Sequence, residues 1–222
     1  MDPEPQSIAG AVEVVFSDDA IIVLNKPPGL LAVPGRGSDK QDCLSSRVQR
    51  SYGDALIVHR LDMSTSGLLV MARGPAAQRV LNRAFAERQV HKRYVAVVIG
   101  AMAAQEDQSW ETIDLPILVD WPNRPLRKID MLEGQASVTR WRSTEYDAVQ
   151  GTSRVELEPV TGRSHQLRVH LQAIGHPILG DALYAPPQVC EMGARLLLHA
   201  CELAFTHPVD GRSMRFECSP DF

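Results

Sequence analysis

Short runs of apolar and β-branched residues, separated by turn-forming residues, dominate the pattern along this chain. The runs "VEVVF" and "AIIVLNK" flank the polar triplet "SDD", a combination that predicts a β-hairpin near the start of the chain. The Pro/Gly-rich segment "KPPGLLAVPGRGS" predicts a loop after it. Further on, "ALIVHRLD" and "GLLVMAR" predict two strands with a short polar connection between them.

Helical spacing of apolar residues occurs in two places in the first half. Leu44 and Val48 predict a short amphipathic helix within residues 42–52, ending at Gly53. A longer helix is predicted to begin at Gly74 and Pro75, because proline suits a first helical turn. Its apolar positions recur at steps of three and four residues, namely Ala77, Val80, Leu81, Ala84 and Phe85.

The second half of the chain reads mostly as strands. The segment "HKRYVAVVIGA" predicts a strand with Tyr94 on one face, and "DLPILVDWPNRP", broken by three prolines, is predicted to be largely loop. Residues 137–146 and 153–160 predict two strands paired about Gly151. The tail "RLLLHACELAFTHPVDGRSMRFECS" predicts two more strands around "HPVDGRS".

The segment "TGRSHQLRVHLQAIGHPILGD" fits two patterns. Alternate residues in it are apolar, as in a strand, but Leu167, Leu171 and Ile174 also keep helical spacing. Thr161 or Ser164 as a cap and Gly175 as a stop favour a helix.

Strands outnumber helices in this reading and often follow one another. We therefore predict an α+β fold with a mixed, mainly antiparallel central sheet and flanking helices and loops. A length of 222 residues suits one large domain or two small ones. We expect one domain over residues 1–222, since no convincing linker interrupts the chain.

Composition is that of an ordinary globular protein, with 44% hydrophobic and 23% charged residues. The longest apolar runs are far too short to cross a membrane, so no membrane association is expected. The N-terminus is acidic where a secretory signal is basic, so we expect a cytoplasmic protein. The cysteines and histidines show no metal-ligand spacing, and no metal site is expected.

Net charge is −4, which argues against a protein that simply coats nucleic acid. The charge is unevenly distributed, however: residues 73–93 hold six Arg or Lys residues against Glu87 alone. This pattern is typical either of a solvated helix face or of a local basic face on an acidic protein.

The stretch "IVHRLDMSTSGLLVMA" places Asp62 between two apolar runs. Burial raises the pKa of a carboxylate unless a cation is near, and either Arg60 or Arg163 could keep Asp62 ionised as a nucleophile or base. The simpler interpretation is that Asp62 only caps a turn formed with the following serines and threonine. The residues by themselves leave both interpretations open.

Other chemistries lack a signature in this sequence. It contains no HExxH metal motif and no GxSxG nucleophile elbow. It also lacks the GxGxxG and GxxxxGK[ST] loops that bind nucleotide cofactors, so no cofactor is expected.

The segment "HRLDMSTSG" resembles the signature of the pseudouridine synthases of the ribosomal large subunit type, in which such a segment carries the essential aspartate. The segments "LNKPPGL", "KRYVAVV", "TGRSHQLRVH", "GHPILGD" and "RLLLHA" agree with that family in the expected order, so the resemblance spans nearly the whole chain. It implies the pseudouridine synthase fold and a cofactor-free isomerase. The segment "DWPNRP", and the expectation of no separate N-terminal RNA-binding module of the kind that many relatives carry, make the chain resemble in particular a member that acts on both 23S rRNA and tRNA.

The resemblance also implies roles for individual residues. It makes Asp62 the catalytic aspartate, Tyr94 the aromatic residue that stacks on the target base, and Arg163 the basic partner of Asp62. Arg60 resembles the arginine that fills the space left by the flipped nucleotide. The other residues that we expect to bind the substrate are His59, Leu198 and Arg124.

The implied reaction breaks the glycosidic bond of a uridine in a tRNA anticodon stem-loop or a 23S rRNA stem-loop, turns the uracil and joins its C5 to C1′. An ionised Asp62 would either attack C1′ or remove a proton from C2′, and the sequence does not choose between these routes. Two rival functions remain: a non-catalytic RNA-binding or chaperone module of the same fold, and a glycoside hydrolase, for which a second carboxylate is missing. The expected partner is RNA, and a monomer is expected.

Overall fold

The computed structural model describes residues 6–8, 12–102 and 109–222. Within these residues the strands, in chain order, are β1 Gln6–Ile8, β2 Val12–Ser17, β3 Ile21–Lys26, β4 Ala55–Ile57, β5 Ser66–Arg73, β6 His91–Ile99, β7 Glu111–Asp114, β8 Ile117–Val119, β9 Arg127–Ile129, β10 Val138–Asp147, β11 Thr152–Pro159, β12 Leu198–Thr206 and β13 Ser213–Glu217. The helices are α1 Leu44–Gln49, α2 Gly74–Ala86, α3 Gln166–Ala173 and α4 Pro187–Glu191, with a 3-10 turn at Ser38–Lys40.

The chain divides into two compact units. Unit 1 comprises Met1–Lys92 and His199–Asp221, and unit 2 comprises Arg93–Leu198 and Phe222. The prediction of a single domain over residues 1–222 is not tested by this division and stays a prediction.

The sheet of unit 1 has the strand order β1, β2, β3, β5, β12, with β4 also paired to β5 and β13 to β12. All of these pairs are antiparallel except that of β5 with β12, which is parallel at His199 and Ser66. Helix α2 packs its buried Ala77 and Leu81 on the side chains of Val23, Val70 and their apolar neighbours. The predicted first hairpin, β2 and β3, and the predicted helix α2 are both confirmed.

Unit 2 contains the antiparallel strand order β6, β11, β10, β7 and a separate hairpin of β8 and β9. Its core joins Ala96 of β6 and Leu157 of β11 to Leu167 and Leu171 of α3. The predicted pair of strands about Gly151 is confirmed as β10 and β11. The predicted α+β class with a mixed, mainly antiparallel sheet is thereby confirmed as well.

The proline-rich segment is largely loop, as predicted, but it contains the short strand β8, because its prolines lie outside the three residues that pair with β9. Two other local predictions were wrong. The helix α3 is confirmed, but it is capped neither by Thr161 nor by Ser164: it follows His165, which adopts a left-handed conformation with φ 58°. Strand β4 ends at Ile57 instead of continuing to Asp62.

No helix within residues 12–102 and 109–222 combines the length and the apolar character that spanning a membrane requires.

Candidate active site

Asp62 lies in unit 1, in the connection between β4 and β5, with its side chain half-buried. The connection turns at Asp62, whose carbonyl oxygen accepts a hydrogen bond from the Thr65 N–H at 3.1 Å. Leu61 beside it is buried and Arg60 is exposed. The chain thus anchors itself through Leu61 and presents the next residue, an aspartate, on a turn.

The reason why β4 stops early lies along the edge of β5. Strand β4 pairs with β5 only from Met71 to Arg73, and β12 pairs with the same strand at Ser66 and Gly67. Between these two partners the Val70 N–H donates to Nε2 of His59 at 3.0 Å. The imidazole therefore accepts the hydrogen bond that a backbone carbonyl of a longer β4 would have accepted. As a result, residues 58–65 do not pair with the sheet.

His59 was predicted to bind the substrate, and its surroundings are specific. Its ring stacks on Phe85 of α2 with 4.4 Å between the ring centroids and an interplanar angle of 22°. Burial and the positive charge of Lys92 lower the pKa of His59 to about 3. The imidazole is therefore neutral, in agreement with Nε2 acting as an acceptor, and this nitrogen is already used by the backbone.

Lys26, which was not among the predicted site residues, holds the Asp62 turn at Met63. The residue is completely buried, yet its Nζ donates to the carbonyl oxygens of Pro27 at 2.8 Å, Leu30 at 2.8 Å and Met63 at 3.0 Å. The Met63 carbonyl also accepts the Gly29 N–H at 2.9 Å. The loop that begins "KPPG" and the residue directly after Asp62 are therefore fastened together.

Burial lowers the pKa of Lys26 to about 7, and the negative charge of Asp62 acts in the opposite direction. An ammonium group with three carbonyl acceptors can remain charged in a dry site because each of its N–H bonds has a partner. The signal for Lys26 in the sequence is a lysine that ends the buried run "IIVLNK" directly before two prolines and a glycine.

The burial and hydrogen bonds of the residues after Asp62 explain why the sequence there contains "STSG". Thr65 and Ser66 are buried, and Ser66 Oγ lies 2.9 Å from Nδ1 of His199 on β12. Nε2 of His199 is 3.1 Å from the Cys218 carbonyl oxygen, so it donates there and Nδ1 accepts the Ser66 hydroxyl proton. His199 was another residue that sequence reasoning missed.

Gly67 is needed where β5 meets β12. Its φ is +108°, and a Cβ there would lie 2.6 Å from the Ala200 amide nitrogen and closer still to the Ala200 carbonyl oxygen. Only glycine fits this approach of two backbones.

Tyr94 lies in unit 2 on β6, directly opposite Leu157 of β11. It is half-buried and packs against the same core as Ala96 and Val98, as the predicted alternation of the strand requires. Arg93 points to the other face, where its guanidinium binds Glu158 at 3.0 Å.

Arg163 lies in unit 2 in the exposed loop before α3. Its N–H donates to Oε1 of the buried Gln166 at 3.0 Å, and its Nε to the Ala136 carbonyl oxygen at 3.4 Å. Gln166 also accepts the Thr161 hydroxyl at 2.6 Å and donates to the Val138 carbonyl oxygen at 2.9 Å. Gln166, which was not among the predicted site residues, therefore supports the Arg163 loop.

The two other predicted substrate residues lie in different surroundings within unit 2. Leu198, the first residue of β12, is 3% exposed and belongs to the core cluster of this unit. Arg124 is exposed in the connection between β8 and β9, with its guanidinium 3.4 Å from the centroid of the Trp121 ring.

Of the arginines in the basic stretch predicted over residues 73–93, several are paired. Arg73 binds Asp54 at 3.2 Å and Arg83 binds Glu87 at 2.7 Å. Arg79 and Arg88 are exposed. Among the described residues, no group of three or more His, Cys, Asp or Glu side chains is arranged to hold a metal ion.

Comparison with known proteins identifies relatives over nearly the whole chain. Residues 20–173 match the family model for RNA pseudouridylate synthase. The chain is 50% identical over 209 residues to the dual-specificity RNA pseudouridine synthase RluA of Escherichia coli strain K12, covering 94% of this chain and 93% of the relative. It is 48% identical to the protein of the same name from Yersinia pestis, covering 94% and 99%.

Two solved structures have a similar fold. Human RNA pseudouridylate synthase domain containing 1 matches with a TM-score of 0.76 and 31% identity, over 99% of this chain and 86% of that one. Human RNA pseudouridylate synthase domain containing 4 matches with a TM-score of 0.71 and 24% identity, over 94% and 88%, and supports the fold alone.

Proposed function

Because the chain belongs to the RNA pseudouridylate synthase family, we propose that it acts on two classes of RNA, a tRNA anticodon stem-loop and a 23S rRNA stem-loop. The enzyme isomerises uridine to pseudouridine in RNA. Relatives that are half identical to it are named dual-specificity enzymes, which supports a double substrate range. The competing hypotheses of a non-catalytic RNA-binding module and of a glycoside hydrolase are not favoured by this family membership.

Asp62 is the proposed catalytic residue, and the observation that carries the proposal is the way in which its turn is held. Lys26 and Gly29 bind the Met63 carbonyl on one side, and Ser66 binds His199 on the other. A carboxylate that only capped a turn would not need a buried lysine beside it. A fixed carboxylate with a nearby buried cation suits an ionised group that must meet a sugar carbon with defined geometry.

Isomerisation breaks the bond from N1 to C1′ and forms a bond from C5 to C1′; C5 loses a proton and N1 gains one, so the composition of the RNA is unchanged. In this proposal Asp62 acts at the sugar, by attack on C1′ or by removal of a C2′ proton. Tyr94 stacks on the detached uracil, and Arg163 keeps Asp62 ionised.

A uracil within a folded RNA must leave its stack to reach such a carboxylate, at a cost of about a few kcal/mol. Arg60, exposed beside the Asp62 turn, fills the space that the flipped nucleotide leaves. Leu198 lines the base pocket, His59 supports the turn from which Arg60 projects, and Arg124 contacts the RNA backbone.

RNA is the partner of this enzyme, and the finer expectations are part of the proposal. We infer a monomer that works in the cytoplasm and whose two units act as one catalytic domain. An acidic protein that binds RNA must concentrate its phosphate contacts on part of its surface, so binding should weaken steeply with salt.

Product analysis tests the reaction class. A tRNA anticodon stem-loop and a 23S rRNA stem-loop are incubated with the enzyme. The mass of each RNA is measured by mass spectrometry, and the nucleosides obtained by digestion are then separated and analysed in the same way. An isomerase leaves the mass of each RNA unchanged and converts a uridine to a nucleoside of equal mass with different retention. Release of free uracil would instead indicate a hydrolase.

A further inference from the structure

The connection between β8 and β9 in unit 2 exposes an aromatic ring covered on one side by a cation. Trp121 is 65% exposed, whereas Trp141 is 8% exposed. The guanidinium carbon of Arg124 lies 3.4 Å from the centroid of the Trp121 ring. Because the ring keeps most of its exposure while the guanidinium covers one face, its other face is open to solvent.

This connection is ordered by its own hydrogen bonds. The Asn123 N–H donates to the Asp120 carbonyl oxygen at 3.2 Å, and the Leu126 N–H to the Asn123 carbonyl oxygen at 3.0 Å. The Asn123 side chain also donates to the Asp120 carboxylate at 2.9 Å. Pro122 and Pro125 restrict the backbone further. An aromatic ring on such a connection loses little conformational freedom when a ligand stacks on it.

The residues that follow the ring carry positive charge, whereas Asp120 before it is bound by the Asn123 side chain. Residues 121–128 contain Arg124, Arg127 and Lys128 and no acidic residue. Within the part of the chain that the structure describes, no carboxylate lies within ion-pair distance of Arg124 or Arg127, while Lys128 binds Asp130 at 3.2 Å. The guanidinium of Arg127 donates to the carbonyl oxygens of Pro125 and Leu126. An open aromatic face beside unneutralised guanidinium groups matches a nucleotide, which has a flat base and an anionic phosphate.

The geometry points to a base-stacking platform formed by Trp121 and Arg124. In this inference an unpaired nucleotide of the RNA loop, other than the uridine that is isomerised, stacks its base on the open face of Trp121, and Arg124 stacks on the opposite face and contacts phosphate. The inference rests on the proposed function, because it takes the ligand to be the loop of the substrate stem-loop.

The platform is anchored to the segment that carries Arg163. The Arg127 N–H on β9 donates to the Tyr184 hydroxyl oxygen at 2.9 Å, and the same oxygen lies 2.6 Å from Nδ1 of His165. The tyrosine hydroxyl therefore accepts a hydrogen bond from β9 and makes a second hydrogen bond with His165. The Tyr184 hydroxyl thereby links β9, which follows the platform in the chain, to the segment of Arg163 within unit 2. In this inference the platform favours RNA loops that present an unpaired base to Trp121.

The test measures RNA affinity and tryptophan fluorescence together. The probes are a synthetic tRNA anticodon stem-loop and a fully paired duplex with the same stem. Trp121→Ala should weaken binding of the stem-loop by about 5- to 150-fold, the range typical of one base stacked on an aromatic side chain, and should leave duplex binding unchanged. In the wild-type protein the stem-loop should quench the emission of the exposed tryptophan, and the duplex should not.

Trp121→Phe keeps an aromatic ring and guards against a folding defect in the alanine variant. It should retain most of the affinity for the stem-loop while losing the quenching. Tyr146→Ala, at another exposed aromatic residue of unit 2, is the matched control and should bind like the wild-type protein.

Equal affinity of Trp121→Ala and wild type for the stem-loop would overturn the platform, and so would an equal loss of affinity for stem-loop and duplex. The same stem-loop is also labelled with tritium at uridine C5. Release of this tritium by the wild-type enzyme reports separately on the proposed function. Release without any effect of Trp121→Ala refutes the platform alone, and absence of release refutes the proposed function whatever Trp121→Ala does.

Discussion

The buried ammonium group of Lys26 donates a hydrogen bond of 3.0 Å to the carbonyl oxygen of Met63, the residue directly after Asp62. This contact joins the first loop of the chain to the turn that presents the proposed catalytic carboxylate. It also brings a positive charge near Asp62, whose negative charge raises the pKa of Lys26 against the effect of burial. One side chain therefore serves both the geometry and the electrostatics of the turn.

Lys26→Met should reduce both stability and turnover. Methionine fills a similar volume but removes the hydrogen-bond donor of three carbonyl oxygens, of which that of Met63 keeps a second donor, the Gly29 N–H, so we expect a loss of about 2–4 kcal/mol in the free energy of unfolding. The loosened turn should lower kcat more than it changes KM. Urea unfolding and steady-state kinetics measure the two effects. Lys40→Met, at an exposed lysine, is the control, and equal stability of both variants would contradict the role of Lys26.

The stability of the protein should rise with pH above neutrality through Lys26. Its pKa is about 7 in the folded protein and has its ordinary value of 10.5 when the chain unfolds. Between these values the unfolded chain binds the proton more tightly, so raising the pH favours the folded state, by at most about 1.4 kcal/mol per pH unit. Below pH 7 both states are protonated and the effect is flat.

Urea unfolding of wild type and Lys26→Met from pH 6 to pH 9 tests this linkage. The difference between their free energies of unfolding should be constant at the acidic end and should grow above about pH 7. Parallel curves over the whole range would show that Lys26 keeps an ordinary pKa.

Gly67→Ala should be among the most damaging single substitutions in unit 1. The new Cβ would overlap the backbone of Ala200, and the φ of +108° is strained for any other residue, so we expect a loss of more than about 3 kcal/mol or failure to fold. Gly53→Ala is the matched control, since a Cβ there meets no atom within 4 Å. Thermal unfolding compares the two, and similar midpoints would refute the close contact of β5 and β12.

Arg163→Ala should lose more activity than affinity. In the proposed mechanism Asp62 loses its charge partner, while the RNA loses only one exposed cationic contact among several. Single-turnover rates should fall by about tenfold or more, with a much smaller change in Kd for the RNA. Arg79→Ala, at an exposed arginine of α2, controls for the loss of one positive charge. A variant with normal single-turnover rates would exclude the assigned role of Arg163.

Much of the fold follows from patterns of apolar residues within short windows. In α2 the apolar residues recur at steps of three and four, which only a helix fits. The two strands of each predicted hairpin are separated by strong turn signals. Strand β4 shows the limit of such patterns. Its apolar run continues past Ile57, but β12 and the His59 imidazole occupy the rest of the β5 edge. Both are tertiary contacts, which a short sequence window does not show.

The position of Asp62 could be singled out from its neighbours, but most of its support could not. His199 is 133 residues away from Ser66 in the chain, and no local pattern links the two. Tyr184 likewise meets His165 and Arg127 only because the loops of unit 2 converge. Lys26 was detectable in principle, since a lysine within a buried apolar run needs a compensating set of acceptors.

Tritium release from RNA labelled at uridine C5 tests the central claim most directly, because the C5 hydrogen leaves only when C5 becomes the new glycosidic carbon. Wild type and Asp62→Asn are compared on a tRNA set and on a 23S rRNA fragment. The account predicts release from both RNAs by the wild-type enzyme and none by Asp62→Asn, which should still bind RNA. Release by Asp62→Asn at the wild-type rate would contradict the account.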